Sequence, residues 1–390
     1  MAKKILILSH KPPYPKADGG AIVISQLLET LIIDNNVTFL TIITDKHPSL
    51  NEINHPNLIY KSVYVDTKTR LFNLTKNLFH TKSYIISRFE SNEYENALKL
   101  ILENESFDLI IFESLFTSPY IKIIKKLSSA KLIYRAHNIE YQIWEKKSIS
   151  KSNNPLINHY LKLQAARLKV EELKFLDLID RIACISFEDQ KVISKISNAQ
   201  TILLGMFVKN IPEKINNSSD IIDFFHLGAM DWKPNQEAIN WFIDNVWPTI
   251  HEINPKSYFH IAGKGMSKSF HAKTLNGLVN HGEVENAKYF ISKHKIMLVP
   301  LFIGSGLRVK IIEGLSMGKC IITTNIGLQG IQCKHMENIL IANSVEDFIN
   351  TMQFCLDNPE KVKQIENEAR NFALKNFSKE KFFNQIEKIF

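Results

Sequence analysis

Short apolar runs rich in β-branched residues alternate with longer amphipathic stretches along almost the whole chain. Runs of this kind fit buried strands, and the stretches between them are long enough for the helices that connect parallel strands. The alternation therefore predicts an α/β fold built on parallel sheets. The predicted strands are 4–9, 37–43, 58–65, 108–113, 131–135, 181–185, 223–227, 258–262, 296–300, 320–324 and 339–342.

The length of 390 residues predicts two domains, because one domain usually contains about 100–200 residues. The segment 209–220 is polar, has no clear periodicity and contains Pro212, so the domain boundary is placed there. The first domain is expected to cover 1–208 and to be joined by the amphipathic last segment, 377–390. The second domain is expected to cover 209–376.

Composition excludes several classes of protein. With 45% hydrophobic and 23% charged residues, the composition excludes a disordered chain, a collagen-like chain and a disulfide scaffold. The 4 cysteines have no C-x-x-C spacing, which favours reduced thiols and a cytoplasmic location, and no apolar run is long enough to span a membrane. The net charge of +8 suggests an anionic ligand or surface. Because lysines alternate with acidic residues and no recognition motif accompanies them, nucleic acid is not expected as a partner.

Two candidate groups follow strands of the first domain. The strand 4–9 leads into a Pro-rich loop that ends at Gly19 and Gly20, without the G-x-G-x-x-G spacing of dinucleotide sites. Because glycine has no side chain, these two residues either let the backbone approach a ligand at a helix N-terminus or only form the turn. His137 follows the strand 131–135. A histidine there can donate to a ligand oxygen or carry a proton, although a lone histidine is more often structural.

Glycines and cations follow two strands of the second domain. The strand 223–227 leads to Gly228, which allows close backbone approach, and to the mobile cation Lys233. The strand 296–300 leads to a turn and helix with six candidates: Gly304, Ser305, Gly306, Arg308, Lys310 and Glu313. A helix N-terminus stabilises an anion by about 0.3–1 kcal/mol, and a charge-assisted hydrogen bond by about 1.5–3 kcal/mol. The two cations should therefore dominate if an anion binds; the alternative is a solvated helix face.

Four motifs, in this order, resemble glycosyltransferase family 4. They are Pro-Pro-Tyr-Pro at 12–15 with Gly19-Gly20, Arg-Ala-His-Asn-Ile-Glu at 135–140, Gly-Ala-Met-Asp-Trp-Lys-Pro-Asn at 228–235, and the run 300–313 followed by Gly-Lys-Cys-Ile-Ile-Thr-Thr at 318–324. The resemblance implies the GT-B fold, with two facing Rossmann-like domains and a C-terminal helix that crosses back to the first domain. It also implies a hexosyltransferase-type enzyme that moves a sugar from a nucleotide-diphosphate donor to an acceptor hydroxyl with retention, without a cofactor or an obligatory metal.

The resemblance also implies roles for individual residues. His137 would contact the donor sugar, Lys233 would hold the diphosphate, and Glu313 would bind the ribose hydroxyls. Gly19 and Gly20 would lie against the phosphates or the acceptor. A variant of the family pattern implies that Arg308 and Lys310 share the diphosphate.

One position departs from the pattern. Many members carry two glutamates separated by seven residues, and Ser305 stands where the first would be. Without that carboxylate, the motif offers no enzyme nucleophile. A same-face substitution assisted by the leaving phosphate is therefore expected rather than a covalent intermediate.

Partners and alternatives remain open from the sequence. The expected acceptor is a glycan or a lipid-linked glycan in cell-surface polysaccharide biosynthesis. The Lys-rich stretch 158–174 either contacts an anionic membrane at its inner face or forms a solvated helix face. The alternatives to a transferase are a non-catalytic scaffold that binds nucleotide-sugar and an epimerase or phosphorylase with the same fold.

Overall fold

The computed structural model describes residues 2–16, 18–48, 53–149, 154–209, 222–267, 270, 274–304 and 306–390. The chain forms two compact units, Met1–Met206 with Phe382–Phe390, and Phe207–Lys381. It thus passes between the units at 206–207 and 381–382, where the sequence suggested 208–209 and 376–377. Apart from Lys209, the predicted boundary segment 209–220 lies outside the described residues.

Unit 1 is built on a seven-stranded parallel sheet with the order β3-β2-β1-β4-β5-β6-β7. The strands are β1 Lys4–Ser9, β2 Asn36–Ile43, β3 Leu58–Tyr64, β4 Leu109–Glu113, β5 Lys131–Ala136, β6 Arg181–Cys184 and β7 Gln200–Leu203. The helices are Gly19–Asp34, Leu71–Leu78, Tyr84–Ser87, Asn92–Asn104, Ile121–Leu127, Glu140–Ile149, Pro155–Leu176 and Phe187–Ile196, with 3-10 turns at Leu115–Tyr120 and Glu387–Ile389. The central strands β1 and β4 are apolar on both faces because helices cover both sides of a parallel sheet.

Unit 2 is built on a six-stranded parallel sheet with the order β10-β9-β8-β11-β12-β13. The strands are β8 Phe224–Leu227, β9 Phe259–Ala262, β10 Leu278–Gly282, β11 Ile296–Val299, β12 Cys320–Thr323 and β13 Leu340–Ile341. The helices are Lys233–Asn245, Trp247–Ile253, Ala287–Lys293, Val309–Ser316, Val345–Asp357 and Pro359–Asn376, and the helix Lys379–Ile386 spans the division at 381–382.

Both sheets have the Rossmann-like strand order, in which the direction of winding reverses beside the first strand. The reversal lies between β1 and β4 in unit 1 and between β8 and β11 in unit 2. Open α/β sheets bind ligands at the carboxyl ends of the strands at such points. The predicted α/β class with two Rossmann-like sheets is therefore confirmed. A ligand site is expected at these two edges.

All eleven predicted strands are present, and two further strands were missed. The missed strands, β7 and β10, lie at sheet edges, where side chains are partly exposed and the sequence does not form an apolar run. The end of the chain, Phe382–Phe390, packs with unit 1, and Arg181 Nη1 donates to the Lys388 carbonyl at 2.7 Å. The long helix predicted after 154 is Pro155–Leu176, capped by the Asn154 side chain.

The sequence predicts reduced thiols and no membrane-spanning run, and the cysteines and the helices of the structure bear on these two predictions. All four cysteines are free thiols, and Cys184, Cys320 and Cys355 are buried. Among the helices of the described segments, none combines the length and the apolar character that crossing a bilayer requires.

Candidate functional site

Two loops pack tightly at the carboxyl edge of unit 2. The Gly228 amide donates to the Ala262 carbonyl at 3.2 Å. A Cβ on Gly263 would lie 1.8 Å from the Gly228 carbonyl oxygen, so a side chain at 263 would displace the loop. Sequence analysis did not single out Gly263, although a glycine directly after a strand is a signal of close backbone approach.

A partly buried lysine lies beside Gly228. Lys310 Nζ donates to Asn235 Oδ1 at 2.9 Å. A Cβ on Gly228 would lie 2.5 Å from Lys310 Nζ and 3.0 Å from His226 Nε2, so the absence of a side chain at 228 makes room for the ammonium group. Burial, followed by the nearby charge of Arg308, lowers the pKa of Lys310 to about 7.

The surroundings of Lys310 do not neutralise its charge. No carboxylate of the described residues pairs with its ammonium group, whose bonded partner is the neutral Asn235 amide oxygen. His226 is fully buried, and burial followed by Lys310 holds its pKa well below its usual range. The neutral His226 therefore donates from Nδ1 to the Leu298 carbonyl at 2.8 Å. An ammonium group that is shielded from water and has no counterion strongly favours the binding of an anionic ligand, because the ligand neutralises its charge.

Arg308 lies next to Lys310, at the N-terminus of the helix Val309–Ser316. Its Nη1 donates to the Gly306 carbonyl at 3.1 Å, and its guanidinium lies 5.8 Å from the centre of the Trp232 ring. Burial lowers the pKa of Arg308 to about 10, so the side chain stays charged at neutral pH. The helix N-terminus adds its own positive potential at the same place.

The turn before this helix depends on glycine. Gly304 has φ +132° and Gly306 has φ +80°, which are left-handed conformations that favour glycine. A Cβ on Gly304 would also lie 2.7 Å from Arg308 Nη2. Ser305, between them, lies outside the described residues, so its predicted role stays a prediction.

Glu313 lines a cavity of about 220 Å³ in unit 2. The cavity walls include Glu285, Asn286, Lys288, Ile291, Glu313 and Met317. Burial raises the pKa of Glu313, while Lys288 acts in the opposite direction. Because Glu313 lies one helical turn after Lys310, the helix presents a cation and then a hydrogen-bond acceptor along its length.

A second polar cluster lies at the carboxyl edge of unit 1. Glu113 Oε1 accepts from Arg135 Nη1 at 2.9 Å and from His137 Nε2 at 2.7 Å. Glu113 and Arg135 are fully buried, and the His137 side chain is 12% exposed. Burial acts to raise the pKa of Glu113, but Arg135 and His137 outweigh it, and the pKa is lowered. The carboxylate fixes His137 with Nε2–H toward Glu113, so Nδ1 is left for a ligand.

The loop after β1 completes this cluster. Ser114 Oγ lies 2.8 Å from His10 Nδ1, and burial followed by Lys11 holds the pKa of His10 well below its usual range. Lys11 Nζ forms an ion pair with Asp18 at 2.6 Å, and a Cβ on Gly20 would lie 2.5 Å from that ammonium. Gly20 therefore makes room for an ion pair, and Gly19 is the first residue of the helix Gly19–Asp34. Sequence analysis missed Glu113 and His10 as members of this cluster.

The structure does not bring Lys233 to the cluster formed by Lys310, Asn235 and Arg308. Its side chain is 83% exposed and lies 3.4 Å from Glu237, one turn along the helix Lys233–Asn245. The predicted contact of Lys233 with a diphosphate therefore stays a prediction. The Lys-rich stretch 158–174 lies on a helix that buries Ala165 and Leu168, and its contact with a membrane also stays a prediction.

Comparison with known proteins finds a family model that is similar to part of unit 2. Residues 222–358 match the family model described as "Glycosyl transferases group 1". That range contains Gly228, Arg308, Lys310 and Glu313. The similarity to this family thus covers the part of unit 2 that holds these candidate residues.

Solved structures with the same fold cover both units. Sucrose-phosphate synthase from Thermosynechococcus elongatus is 14% identical, with a TM-score of 0.72 over 99% of this chain and 98% of that chain. Anabaena Alr3699/HepE in complex with UDP and glucose is 12% identical, with a TM-score of 0.66 over 99% of each chain. The chain therefore has the GT-B type of fold. A relative by sequence, "Uncharacterized 44.6 kDa protein in cps region" of Klebsiella pneumoniae, is 22% identical and is matched over 99% of both chains.

Proposed function

We propose that the chain transfers a hexose from a nucleoside-diphosphate sugar to an acceptor hydroxyl. The observation that carries this proposal is the partly buried ammonium of Lys310, which has no carboxylate partner among the described residues and stands beside Arg308 at a helix N-terminus. When the sugar departs, the diphosphate gains negative charge, and preorganised cations in a water-poor site stabilise that charge in the transition state. These cations supply the positive charge that a metal ion would otherwise place beside the diphosphate.

The proposal assigns each part of the donor to a group. Lys310 and Arg308 hold the diphosphate, and the exposed Lys233 contacts it from the solvent side. Glu313 accepts hydrogen bonds from the ribose hydroxyls in the adjacent cavity. The Anabaena structure in complex with UDP and glucose supports a donor of this class.

His137 is proposed to contact the transferred sugar through Nδ1, while Glu113 holds its ring in place. The transfer is proposed to proceed with retention, by substitution on the same face with help from the leaving phosphate, because Ser305 supplies no carboxylate nucleophile. The relative in a cps region supports a glycan or lipid-linked acceptor in polysaccharide synthesis.

Thermal stabilisation by a panel of nucleoside diphosphates and their sugars tests the proposed donor site. We expect one nucleoside diphosphate to raise the melting temperature, since ligands that bind only the folded state stabilise it by mass action. Its 2′-deoxy form should bind at least about tenfold more weakly, because a hydrogen bond to the charged Glu313 contributes about 1.5–3 kcal/mol. Glu313→Gln should remove most of this difference, and Glu368→Gln, at an exposed position of unit 2, should not.

The outcomes of this panel separate the alternatives. No stabilisation by any nucleoside diphosphate contradicts the donor site. Stabilisation without turnover favours a scaffold, formation of an epimer from the donor alone favours an epimerase, and turnover that requires inorganic phosphate favours a phosphorylase.

A further inference from the structure

Three histidines converge on one another in unit 2, away from the groups discussed so far. His260 lies in β9, His281 in β10, and His294 two residues before β11. One ring nitrogen from each lies within 4.8 Å of the others. His260 Nδ1 and His281 Nε2 lie 2.9 Å apart. Three imidazoles that share one small volume form a set of ligands for a metal ion.

The backbone aims these side chains toward each other. The parallel pairing of β9 and β10 runs Asn280 to Ile261 and then Gly282 to Ala262, so His281 is the extra residue of a bulge. The register pairs Val279 with His260, so alternation along the strand already places position 281 on the face that carries His260, and the two ring centres are 5.2 Å apart.

A carboxylate orients the third histidine. Asp223, the residue before β8, accepts from His294 Nδ1 through Oδ2 and from the Lys295 amide through Oδ1 at 2.8 Å. Asp223 Oδ2 also lies 3.8 Å from His260 Nε2. Histidines that bind metals commonly donate their second ring N–H to a carboxylate, which fixes the tautomer and the ring orientation. His294 is therefore held with Nε2 as its ligating atom.

We propose that His260, His281 and His294 bind one divalent transition-metal ion of the zinc type, with Asp223 as the positioning residue. Zinc takes imidazole nitrogens at about 2.0–2.1 Å in a tetrahedron, which places ligand atoms about 3.3 Å apart. Separations that reach 4.8 Å need to close by up to about 1.5 Å, the pair at 2.9 Å needs to open by about 0.4 Å, and the exposed His281 has room to turn. Magnesium and calcium prefer oxygen ligands and are not expected here. The fourth position is left for water.

Two of the residues at the metal site, Asp223 and His294, precede strands whose other ends lead to the phosphate site, whereas His281 is the last residue but one of β10. Asp223 precedes β8 and Gly228 follows it, and an extended segment of five residues spans about 16 Å. Likewise His294 precedes β11, while Arg308 and Lys310 come after it. The bound ion would join β9, β10 and the segment before β11, with Asp223, the residue before β8, beside it. Its expected effect is on the stability of unit 2.

Titration of the untagged full chain with zinc chloride, followed by calorimetry, tests this site. We expect one zinc ion per chain, a higher melting temperature with zinc, and no heat with magnesium chloride. His281→Gln should weaken binding at least tenfold, and Asp223→Asn about 10–100-fold. His159→Gln, at an exposed position of unit 1, should bind as the parent does. Cobalt in place of zinc should give the intense visible bands of a tetrahedral site.

Two results would overturn the proposal. One is the absence of zinc binding at micromolar concentrations. The other is zinc binding that His281→Gln leaves unchanged, which would place the ion elsewhere, for example at the partly exposed thiol of Cys333. Because position 281 is exposed, loss of binding in His281→Gln with an unchanged far-ultraviolet circular dichroism spectrum reports the site and not misfolding.

Discussion

Replacing Lys310 with methionine should weaken binding of the cognate nucleoside diphosphate at least about 100-fold and, at the same time, stabilise the protein. Binding falls because two or more charge-assisted hydrogen bonds of about 1.5–3 kcal/mol each are lost. Stability rises because the fold lowers the pKa of this lysine from 10.5 to about 7. At about 1.4 kcal/mol per pKa unit, the partly buried ammonium costs roughly 4–5 kcal/mol at pH 7.

The pH dependence of stability should change in the same variant. Because the pKa of Lys310 is lower in the folded state, the unfolded chain binds more protons between pH 7 and 10.5. The free energy of unfolding of the parent should therefore rise with pH across that window, and this rise should be smaller in Lys310→Met. Donor binding by the parent should weaken as the pH increases above about 7, since the ammonium loses its proton.

Calorimetry for binding and urea denaturation at pH 7 and 9 measure both effects. Lys256→Met, at an exposed position of unit 2, is the matched control and should behave as the parent does. Parent-like affinity in Lys310→Met would remove Lys310 from the diphosphate site. A large loss of stability would show that its partly buried charge is compensated.

Replacing Glu113 with glutamine should lower the free energy of unfolding by about 3–5 kcal/mol. The substitution leaves the fully buried guanidinium of Arg135 without its counterion, and breaking a buried ion pair from one side has a cost of this size. Glu105→Gln is the matched control: its ion pair with Lys4 at 3.0 Å is partly exposed, and the expected change is below about 1 kcal/mol.

The acid limb of the stability profile gives a second measure of Glu113. Its pKa is lowered in the folded state, so its contribution to stability is complete above the usual carboxyl pKa and is lost as the pH falls through the folded value. Urea denaturation from pH 7 down to pH 3 should show a shallower acid limb in Glu113→Gln. A change below about 1 kcal/mol at pH 7 would contradict the buried ion pair.

The sequence predicts the parts of the fold that depend on local pattern. The buried strands are apolar runs, and the turn that carries Gly304, Gly306 and Arg308 is a strand followed by glycines and a helix. The edge strands β7 and β10 were missed because partly exposed strands have no such pattern.

The site depends on contacts that no local pattern contains. Lys310 bonds to Asn235, 75 positions away, and His137 bonds to Glu113, 24 positions away. In the sequence, Lys233 and Lys310 are both lysines near strand ends, yet Lys233 is exposed and Lys310 is partly buried. Tertiary packing decides how far each lysine is buried. It therefore also decides whether the charge of a lysine is left without a counterion and can bind an anion.

The most direct test of sugar transfer is proton NMR of the bound nucleotide-sugar, with water as the surrogate acceptor. The parent chain should release the nucleoside diphosphate slowly, and the first-formed free sugar should keep the anomeric configuration that it had in the donor. Lys310→Met should release neither product, which excludes a contaminating hydrolase. A donor that binds and remains intact, or a sugar released with the opposite configuration, would contradict a retaining glycosyltransferase.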